Sequence, residues 1–471
     1  MARVFLLNPP SPEPVRTPLL SFCHLASSLR AGGHQVALLD ASAPFAPRET
    51  AQIVARLQAF APDLVGLHCK TLHIQPAYAL AAELQKAGAW PLVAGGPHAT
   101  VRPDEPFDHG FRYVVRGEGE ETLVELADAI DGKRAFSEVL GLGWVTDDGK
   151  FRLNPARGFL RELDALAPPL EALDLFDPAW YGHAVELPPG GLLSSRGCPA
   201  ACTFCSNDVT GRQYRYRSPA SVVSELGMLK ARYGSLAVNF YDDSFAVGRR
   251  RMRELCEALA QPEVQPLYWT CTAHPSHLDH DILADMKRAG CGGIDIGMES
   301  GDPEMLLRIG KGVKVERVVD VLGWGRELGL HMVVNLMFGW PDETDAELDA
   351  TVDFMTRVAS VAGGFNARGV VVPYPATQVY EQNHRRFGFT DWWLREAPLD
   401  YPAFPTSWDA SEILRCYAAD PALDRNFFQH PPSRVARIRA ALHQKAELTL
   451  GVVARQQRQD FSTMVPAAGA R

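Results

Sequence analysis

The chain has 471 residues, of which 46% are hydrophobic and 22% charged, a composition typical of globular domains and not of disordered chains. A net charge of −9 argues against a nucleic-acid partner. The sequence shows no secretory signal pattern and no apolar run of the roughly 18 residues that a membrane span requires. We therefore expect two or three domains in a cytoplasmic protein without a membrane span.

The first part of the chain alternates between short apolar segments and amphipathic ones. ARVFLL, HQVALLD, DLVGLH, PLVAGG and FRYVVRG predict strands, and the segments between them predict helices. This alternation predicts a doubly wound parallel α/β domain of the flavodoxin or Rossmann type over residues 1–145. Such domains bind ligands beyond the carboxyl ends of their strands, where this chain carries NPPS, GGPHAT and GEGEET.

Residues 146–189 break the alternation. GWVTDDGKFRLN predicts a hairpin, and the stretch after it is rich in proline and turn-forming residues. We expect a linker over 146–189 that packs against a domain through its aromatic residues.

A second alternation begins at residue 190. GLLSSRG, AVNFYDD, PLYWTCTA, GGIDIGMES, HMVVNLMFGW and FNARGVVVPYP predict six strands separated by helices. The pattern indicates a partial TIM-type (β/α)6 barrel over residues 190–380, with its chemistry at the strand ends. Residues 381–471 predict a small, mainly helical C-terminal region that ends in one long helix.

Three of the nine cysteines lie close together in the sequence: Cys198, Cys202 and Cys205. Thiolates bind soft metals, but structural zinc takes four ligands, usually as two pairs, and no second pair lies near this triplet. An iron–sulfur cluster held by three cysteines would leave one iron open to an exogenous ligand. By spacing alone, a cluster, a zinc site and a chance grouping all remain open.

The segment CPAACTFC resembles the C-x3-C-x-aromatic-C signature of the radical S-adenosylmethionine (SAM) enzymes. The resemblance implies a 4Fe–4S cluster held by Cys198, Cys202 and Cys205. It also implies that SAM binds the fourth iron, with Phe204 beside this cofactor.

Later segments resemble further motifs of the same family: FYDDSFAV, GMESGDPEMLLRIGKG, GWPDET and PYPATQVYE. The resemblance implies that they supply SAM-binding residues, namely Asp242, Asp243, Glu299, Ser300, Lys311 and Pro375. Alternatively, Asp243 or Ser244 could cap the next helix, and Lys311 could be a solvated charge. This chain has Ala376 where the family usually has glycine, which restricts the backbone there.

The N-terminal domain resembles the cobalamin-binding domain that is fused to one large radical SAM subgroup. The resemblance rests on NPPSP, GGPHAT and GEGEET and implies cobalamin-binding residues in the strand-end loops. These are Asn8, Pro9, Pro10, His68, Lys70, Thr71, Gly95, Gly96, Pro97, His98, Gly117, Glu118, Gly119 and Glu120. The alternative is a plain flavodoxin-like domain in which Glu120 and Glu121 complement a helix dipole.

The motif Asp-x-His-x-x-Gly, whose histidine binds cobalt from below in many cobalamin proteins, is absent from the sequence. We expect the loop from His68 to His73 to face the lower side of the corrin. His73 and His98 could equally be polar loop residues without a ligand.

The combined resemblance covers residues 1 to about 380 and implies a cobalamin-dependent radical SAM methyltransferase. Such an enzyme would pass a methyl group from SAM through methylcobalamin to an unactivated carbon of a small biosynthetic intermediate. A 5′-deoxyadenosyl radical would activate that carbon, with electrons from an external donor such as flavodoxin or ferredoxin.

Three other functions remain open at this point. The first is a non-methylating member of the subgroup, such as an oxidative cyclase or an enzyme of ring rearrangement. The second is a cobalamin sensor or carrier with an inert barrel, against which the three cysteines argue. Methylthio transfer to transfer RNA is less attractive because the net charge is negative.

The substrate is expected to contact the C-terminal region. Trp392, Trp393, Tyr401, Phe404 and Trp408 could line an apolar pocket, or could serve only in packing.

Overall fold

The computed structural model describes residues 1–12, 16–182, 191–234, 236–402 and 409–458, which form two compact units. The first unit comprises Met1–Gly190, Ser206–Gly211 and Asp391–Leu399. The second unit comprises Gly191–Cys205, Arg212–Thr390 and Asp400–Arg471. The described residues do not include Phe404, Trp408 or the last part of the predicted linker, residues 183–189.

The first unit is built on a seven-stranded sheet. Its strands are β1 (Arg3–Asn8), β2 (Gln35–Asp40), β3 (Leu64–His68), β4 (Leu92–Gly95), β5 (Tyr113–Val115), β6 (Leu142–Val145) and β7 (Phe151–Leu153). The first five are parallel in the order β2-β1-β3-β4-β5, as the doubly wound prediction requires. The hairpin of β6 and β7 pairs antiparallel with β5. It is therefore part of this sheet and not of a linker.

In the described part of this unit, six helices connect or flank these strands. They are α1 (Leu20–Ala31), α2 (Thr50–Phe60), α3 (Ile74–Ala87), α4 (Pro97–Val101), α5 (Glu105–Asp108) and α6 (Gly119–Ile130). The central strands are buried almost throughout, because a parallel sheet of this type is covered by helices on both faces.

The second unit is built on a six-stranded sheet in the order β15-β14-β13-β12-β11-β8. Its strands are β8 (Gly191–Leu192), β11 (Leu236–Phe240), β12 (Leu267–Ala273), β13 (Cys291–Glu299), β14 (His331–Leu336) and β15 (Gly364–Phe365), while β9 (Ser195–Arg196) and β10 (Arg215–Tyr216) form a separate antiparallel pair. All neighbours in the large sheet are parallel, as expected for a partial barrel.

The last barrel strand is much shorter than the segment FNARGVVVPYP predicted. β15 ends at Phe365, and beyond it only an isolated bridge joins Phe338 to Val370. The side chain of Asn366 bonds both backbone groups of Leu336, at 2.9 and 3.1 Å. These bonds take the place of ladder bonds, so the strand does not continue.

The remaining helices are α7 (Pro219–Tyr233), α8 (Arg249–Leu259), α9 (His280–Arg288), α10 (Pro303–Arg308), α11 (Val315–Glu327), α12 (Asp345–Val358), α13 (Gln378–Phe387), α14 (Trp392–Arg395), α15 (Ala410–Ala418), α16 (Pro421–Arg425) and α17 (Pro432–Arg458). Of these, α14 belongs to the first unit. No helix in the described ranges combines the length and apolar character that crossing a bilayer would require.

The two faces of the barrel strands differ in burial. On β12, Trp269 is fully buried, packs on Phe245, and donates to the carbonyl of Ala289 after α9 at 2.8 Å. This face therefore packs against the helices. The opposite face, called the inner face below, carries Asn239, Tyr268, Thr270, Thr272, Gly293, Asp295, Gly297, Glu299, His331, Val333 and Asn335.

Candidate functional site

The three clustered cysteines lie in the loop that follows β8 and β9. Gly197 opens this loop with a φ of +85°, a left-handed conformation that favours glycine. Cys202 is buried, Cys198 is partly exposed, Cys205 is exposed, and all nine cysteines of the chain are free thiols. Within the described ranges, no group of three or more His, Cys, Asp or Glu side chains could hold a single metal ion. An iron–sulfur cluster does not need such a group, because its cysteines bind different irons.

Two other segments hold the cysteine loop in place. The backbone N–H of Thr203 donates to Ile309 O at 2.9 Å, and Thr203 O accepts from Val379 N at 3.0 Å. Gly310 has a φ of +67°, and a Cβ there would lie 2.7 Å from Ala201 O. The ends of α10 and α13 thus fix the backbone between the cysteines.

A buried ion pair lies beside the cysteines. Glu299 ends β13 with a φ of +74°, and its carboxylate accepts from Lys311 Nζ at 2.9 Å. The carbonyl of Lys311 in turn accepts from His274 Nε2 at 2.8 Å. Burial alone lowers the pKa of Lys311, but Glu299 and the thiols of Cys202 and Cys198 raise it above its ordinary value. Lys311 is therefore a buried cation and not a solvated charge.

The cysteine thiols need a positive neighbour to ionise. Desolvation by surrounding protein atoms, followed by Cys202 and Cys198, raises the pKa of the Cys205 thiol to about 12. Burial also raises the pKa of Cys202, which Lys311 counteracts. The three thiols and the buried Lys311 ammonium fit an iron–sulfur cluster, because the iron ions of a cluster bind thiolates and a nearby positive charge favours the thiolate form.

Asp242 and Asp243 hold the strand that leads into the cysteine loop. Asp242 is buried and accepts from Ser194 N at 2.8 Å, from Ser194 Oγ at 2.6 Å and from Ser195 Oγ. Asp243 Oδ2 accepts from Gly197 N at 2.8 Å. The carboxylate of Asp242 is thus engaged by the protein and is not directed at a cofactor.

The alternative prediction for this segment, a helix cap, is wrong. Helix α8 begins only at Arg249, and its N-cap residue Gly248 has no side chain to offer. The loop from Asp243 onward is longer than the sequence pattern indicated.

The remaining predicted SAM-binding residues have different surroundings. Phe204 packs edge-to-face on buried Trp340, with ring centroids 5.2 Å apart. Ser300 lies within 3.1 Å of Thr351 Oγ1 and accepts from Asp302 N at 3.1 Å, so its hydroxyl is occupied by the entry to α10. Pro375 is buried in the turn before α13.

That turn contains a strained residue. Ala376 has a φ of +65°, the left-handed region that the family's usual glycine adopts without cost. Thr377 then caps α13 by accepting from Tyr380 N at 3.2 Å. Alanine in place of the family's usual glycine therefore keeps the same turn but strains the backbone at residue 376.

Sequence reasoning missed Glu343 of the GWPDET segment. Its Oε2 accepts from Gly339 N at 2.9 Å, while its buried Oε1 has no hydrogen-bond partner in the described part of the chain. Burial raises the pKa of Glu343 to about 7. In the sequence, the one signal for Glu343 is its place in the GWPDET segment.

In the first unit, the predicted cobalamin loops meet at one edge of the sheet. Asn8 lies opposite Asp40 in the register of β1 and β2, and His68 lies opposite Gly95 in that of β3 and β4. Thr100 joins two of the loops, since its hydroxyl donates to Gly96 O at 2.9 Å and accepts from Gly117 N at 3.0 Å. Parallel strands bring these loops together because their carboxyl ends share an edge.

The glycines at this edge leave room for a ligand. A Cβ on Gly95 or Gly117 would meet no atom within 4 Å, whereas one on Gly96 would lie 2.7 Å from His68 Cδ2. The buried Nδ1 of His68 has no hydrogen-bond partner among the described residues. Burial, followed by Lys70 and His73, lowers the pKa of His68 to about 3. An open glycine edge with an unpartnered neutral imidazole fits a bulky planar cofactor such as cobalamin.

The side chain of His98 is not at this surface. It is fully buried, its Nε2 donates to Glu105 Oε1 at 2.8 Å, and Thr71 Oγ1 lies 3.0 Å from its Nδ1. The side chains of His98 and Thr71 are therefore engaged with each other inside the protein, and contact of these residues with cobalamin stays a prediction.

Glu118 and Glu120 also have structural roles. Glu118 Oε2 accepts from Leu160 N at 2.7 Å, and buried Glu120 lines a cavity with Val124 and Leu160. Both lie at the N-terminus of α6, where acidic groups complement the helix dipole. Glu120 and Glu121 lie in the first turn of α6, as the alternative interpretation of the GEGEET segment requires, while Gly117 and Gly119 remain candidates.

The tryptophans predicted to line a substrate pocket are packing residues of the first unit. Trp392 and Trp393 are each 2% exposed. Trp393 Nε1 donates to Glu105 Oε2 at 2.9 Å, and Arg102 lies over its ring at 5.3 Å. Tyr401 is buried as well, with Arg368 over its ring at 4.3 Å.

Two models of known protein families match the chain. The model of the radical SAM superfamily matches residues 192–355, and the model of the B12 binding domain matches residues 15–127. The chain is 30% identical over 389 residues to "Uncharacterized methyltransferase PH0819" of Pyrococcus horikoshii, covering 80% of this chain and 82% of that protein. It is 27% identical over 349 residues to an anaerobic magnesium-protoporphyrin IX monomethyl ester cyclase of Synechocystis sp., covering 71% and 68% of the two chains.

A solved structure shares the fold. The radical SAM methyltransferase TsrM from Kitasatospora setae, solved with cobalamin and a 4Fe–4S cluster, matches with a TM-score of 0.67 and 22% identity. The match covers 82% of this chain and 75% of that chain.

A B12-binding domain followed by a radical SAM domain defines the class of cobalamin-dependent radical enzymes. The chain belongs to the radical SAM superfamily, within its cobalamin-dependent methyltransferases. The family predicted from the sequence is thereby confirmed, with SAM, a 4Fe–4S cluster and cobalamin as its cofactors.

Proposed function

We propose that this methyltransferase acts on an unactivated carbon of a small biosynthetic intermediate, through a 5′-deoxyadenosyl radical. The observation that carries the proposal is that one chain contains two sites. In one, the loop with the three cysteine thiols lies beside the buried Lys311 cation. In the other, a glycine edge with open space lies beside His68, whose Nδ1 has no hydrogen-bond partner among the described residues. When bound, the cluster, SAM and cobalamin supply radical formation and methyl transfer.

The protein's part in the second unit is to hold and orient. Cys198, Cys202 and Cys205 would bind three irons, and the Lys311 ammonium would balance the charge of their thiolates. Glu299 keeps that ammonium in place at 2.9 Å. Phe204, fixed by Trp340, would exclude water from the same region.

In the first unit, the protein would present glycine backbone without side chains to the corrin. Gly95, Gly96, Gly117 and Gly119 would allow its close approach, together with Asn8, Pro9, Pro10 and Pro97 in the neighbouring loops. His68 and Lys70 would face the lower side. The neutral state of His68, caused by its burial, leaves its imidazole able to accept a hydrogen bond from a bound ligand.

Two further parts of the proposal concern the surroundings of the enzyme. Radical formation needs one electron at a time, so we assign an external donor such as flavodoxin or ferredoxin. We also place the enzyme in the cytoplasm, which is supported by nine cysteines that are all free thiols.

The test uses anaerobically reconstituted protein, dithionite, SAM with a deuterated methyl group and a protein-free metabolite extract. We expect 5′-deoxyadenosine together with a product that carries the labelled methyl group, both followed by mass spectrometry. Cys202→Ala should abolish 5′-deoxyadenosine. Gly96→Val should retain 5′-deoxyadenosine formation but lose the labelled product, because its side chain would fill the edge beside His68.

The second candidate function is a cyclization or other non-methylating reaction, favoured by the resemblance to the Synechocystis cyclase. It predicts a new product without label that still depends on Cys202 and Gly96. That outcome would replace methyl transfer with the alternative.

A further inference from the structure

Asp295 places a carboxylate on the inner face of the barrel. It lies in the middle of β13 between Gly293 and Gly297, while its neighbours Ile294 and Ile296 are buried on the opposite face. In the register of the sheet it pairs with Thr272 on β12 and Val333 on β14. Its side chain is therefore central in the sheet and accessible at the same time.

Among the described residues, this carboxylate has no counter-ion. None of the described residues donates a hydrogen bond to Asp295 or forms an ion pair with it. Glu299, four residues further along the same face, is instead paired with Lys311 at 2.9 Å. Desolvation by the surrounding protein atoms raises the pKa of the Asp295 carboxyl above its ordinary value. A carboxylate in such surroundings is stabilised by a bound cation.

The nearby groups on the inner face are polar but neutral. Thr270 Oγ1 donates to Asn239 Oδ1 at 2.8 Å, and Thr272 and Asn335 offer further hydrogen-bonding groups. Burial lowers the pKa of His331, so that its imidazole is neutral. These described groups provide hydrogen bonds for a ligand and carry no positive charge themselves.

Tyr417 of α15 lies close enough to respond to this charge. Burial is the main cause that raises the pKa of its phenol to about 12, and Cys416 and Asp295 add to it.

We propose that Asp295 anchors a protonated primary or secondary amine of the small-molecule substrate. The proposal deepens the function proposed above, because it names the chemical class of the substrate. Glu299 lies about 13 Å further along the strand at about 3.3 Å per residue, beside the cysteine loop. The amine is thus bound several bonds away from the carbon that reacts, and Asp295 is a specificity-determining residue.

The test measures binding without catalysis. Anaerobic calorimetry at pH 7, with SAM but no reductant, compares three matched probe pairs: phenethylammonium with 2-phenylethanol, hexylammonium with hexanol, and naphthylmethylammonium with naphthylmethanol. A charge-assisted hydrogen bond predicts that the ammonium of at least one pair binds about 10- to 100-fold more tightly than its alcohol. Asp295→Asn should abolish this preference and leave binding of the alcohol unchanged.

Two variants control the comparison. Asp295→Glu retains the charge and should keep the preference, which guards against a folding defect in the amide variant. Asp353→Asn makes the same chemical change at an exposed position of the outer helix α12 and should behave as the unaltered protein. The inference is overturned if no ammonium binds more tightly than its alcohol, or if the preference survives Asp295→Asn. Since no turnover is measured, failure here is distinct from failure of the methyl-transfer assay.

Discussion

The indole N–H of Trp393 donates a hydrogen bond to Oε2 of Glu105 at 2.9 Å, across 288 residues of sequence. Oε1 of the same carboxylate accepts from Tyr78 Oη at 2.9 Å and from His98 Nε2 at 2.8 Å. The segment after α13 thereby takes part in the core of the first unit, next to the GGPHAT loop. Each of these three donors therefore stabilises the buried carboxylate of Glu105.

Replacing Trp393 by phenylalanine removes one donor and keeps the ring over which Arg102 lies. We expect the free energy of unfolding to fall by about 1–3 kcal/mol, because one oxygen of Glu105 loses a buried partner. Denaturant unfolding of Trp393→Phe, Glu105→Gln and the double variant measures the coupling between the two residues. Additive effects in the double variant would mean that the hydrogen bond contributes nothing of its own.

The ion pair beside the cysteines should be more sensitive than a surface pair. Lys311→Met leaves Glu299 buried without its cation, so we expect a loss of about 3–5 kcal/mol in the free energy of unfolding. The double variant Glu299→Gln/Lys311→Met should recover part of that loss. Arg386→Met removes the exposed pair with Asp342 and should leave the thermal midpoint unchanged. Equal effects of Lys311→Met and Arg386→Met would contradict the burial of the pair.

Backbone strain at Ala376 predicts a stabilising substitution. Because its φ is +65°, Ala376→Gly should raise the free energy of unfolding by about 1 kcal/mol. The matched control is Ala346→Gly in the first turn of α12, which should lower it by about 0.5–1 kcal/mol. Thermal unfolding of the two variants decides the point, since the predicted shifts have opposite signs.

Cluster binding should depend on the triplet and on no other cysteine. Alanine at Cys198, Cys202 or Cys205 should reduce the iron and sulfide content of the reconstituted protein to a small fraction of the normal value, because each thiolate binds one iron. Cys256→Ala, which removes a buried thiol in α8, should retain the full content. Retention of cluster iron in the Cys202 variant would argue against the assignment.

Glu343 predicts an unusual dependence of stability on pH. Its pKa rises from an ordinary value of 4.5 to about 7 on folding, chiefly through burial. The folded state therefore holds a proton that the unfolded state releases between these values. The stabilising contribution is complete below pH 4.5 and is lost as the pH rises through about 7. Between pH 5 and 8, the free energy of unfolding should change by about 3 kcal/mol less in Glu343→Gln than in the unaltered protein. Unfolding curves with unchanged pH dependence would refute the assignment.

The amino-acid sequence by itself determined the two-part architecture and the cofactors. The alternation of short apolar and amphipathic segments predicted the order of strands and helices, because the buried side chains of a strand or a helix recur at a regular spacing of a few residues. The segments around Cys198, Cys202 and Cys205 and around Gly95 and Gly96 pointed to the cofactors through their resemblance to a known family, since the residues that carry this resemblance lie in short local segments.

Only the tertiary structure decided which polar side chains are available to a ligand. Asp242 is bound to Ser194 and Ser195, whereas Asp295 is left without a partner in the described chain, and the two look alike in the sequence. The same holds for Trp393, a packing residue that resembled a pocket residue. Hydrogen-bond partners of buried groups come from distant segments, so their pairing emerges only when the chain is folded.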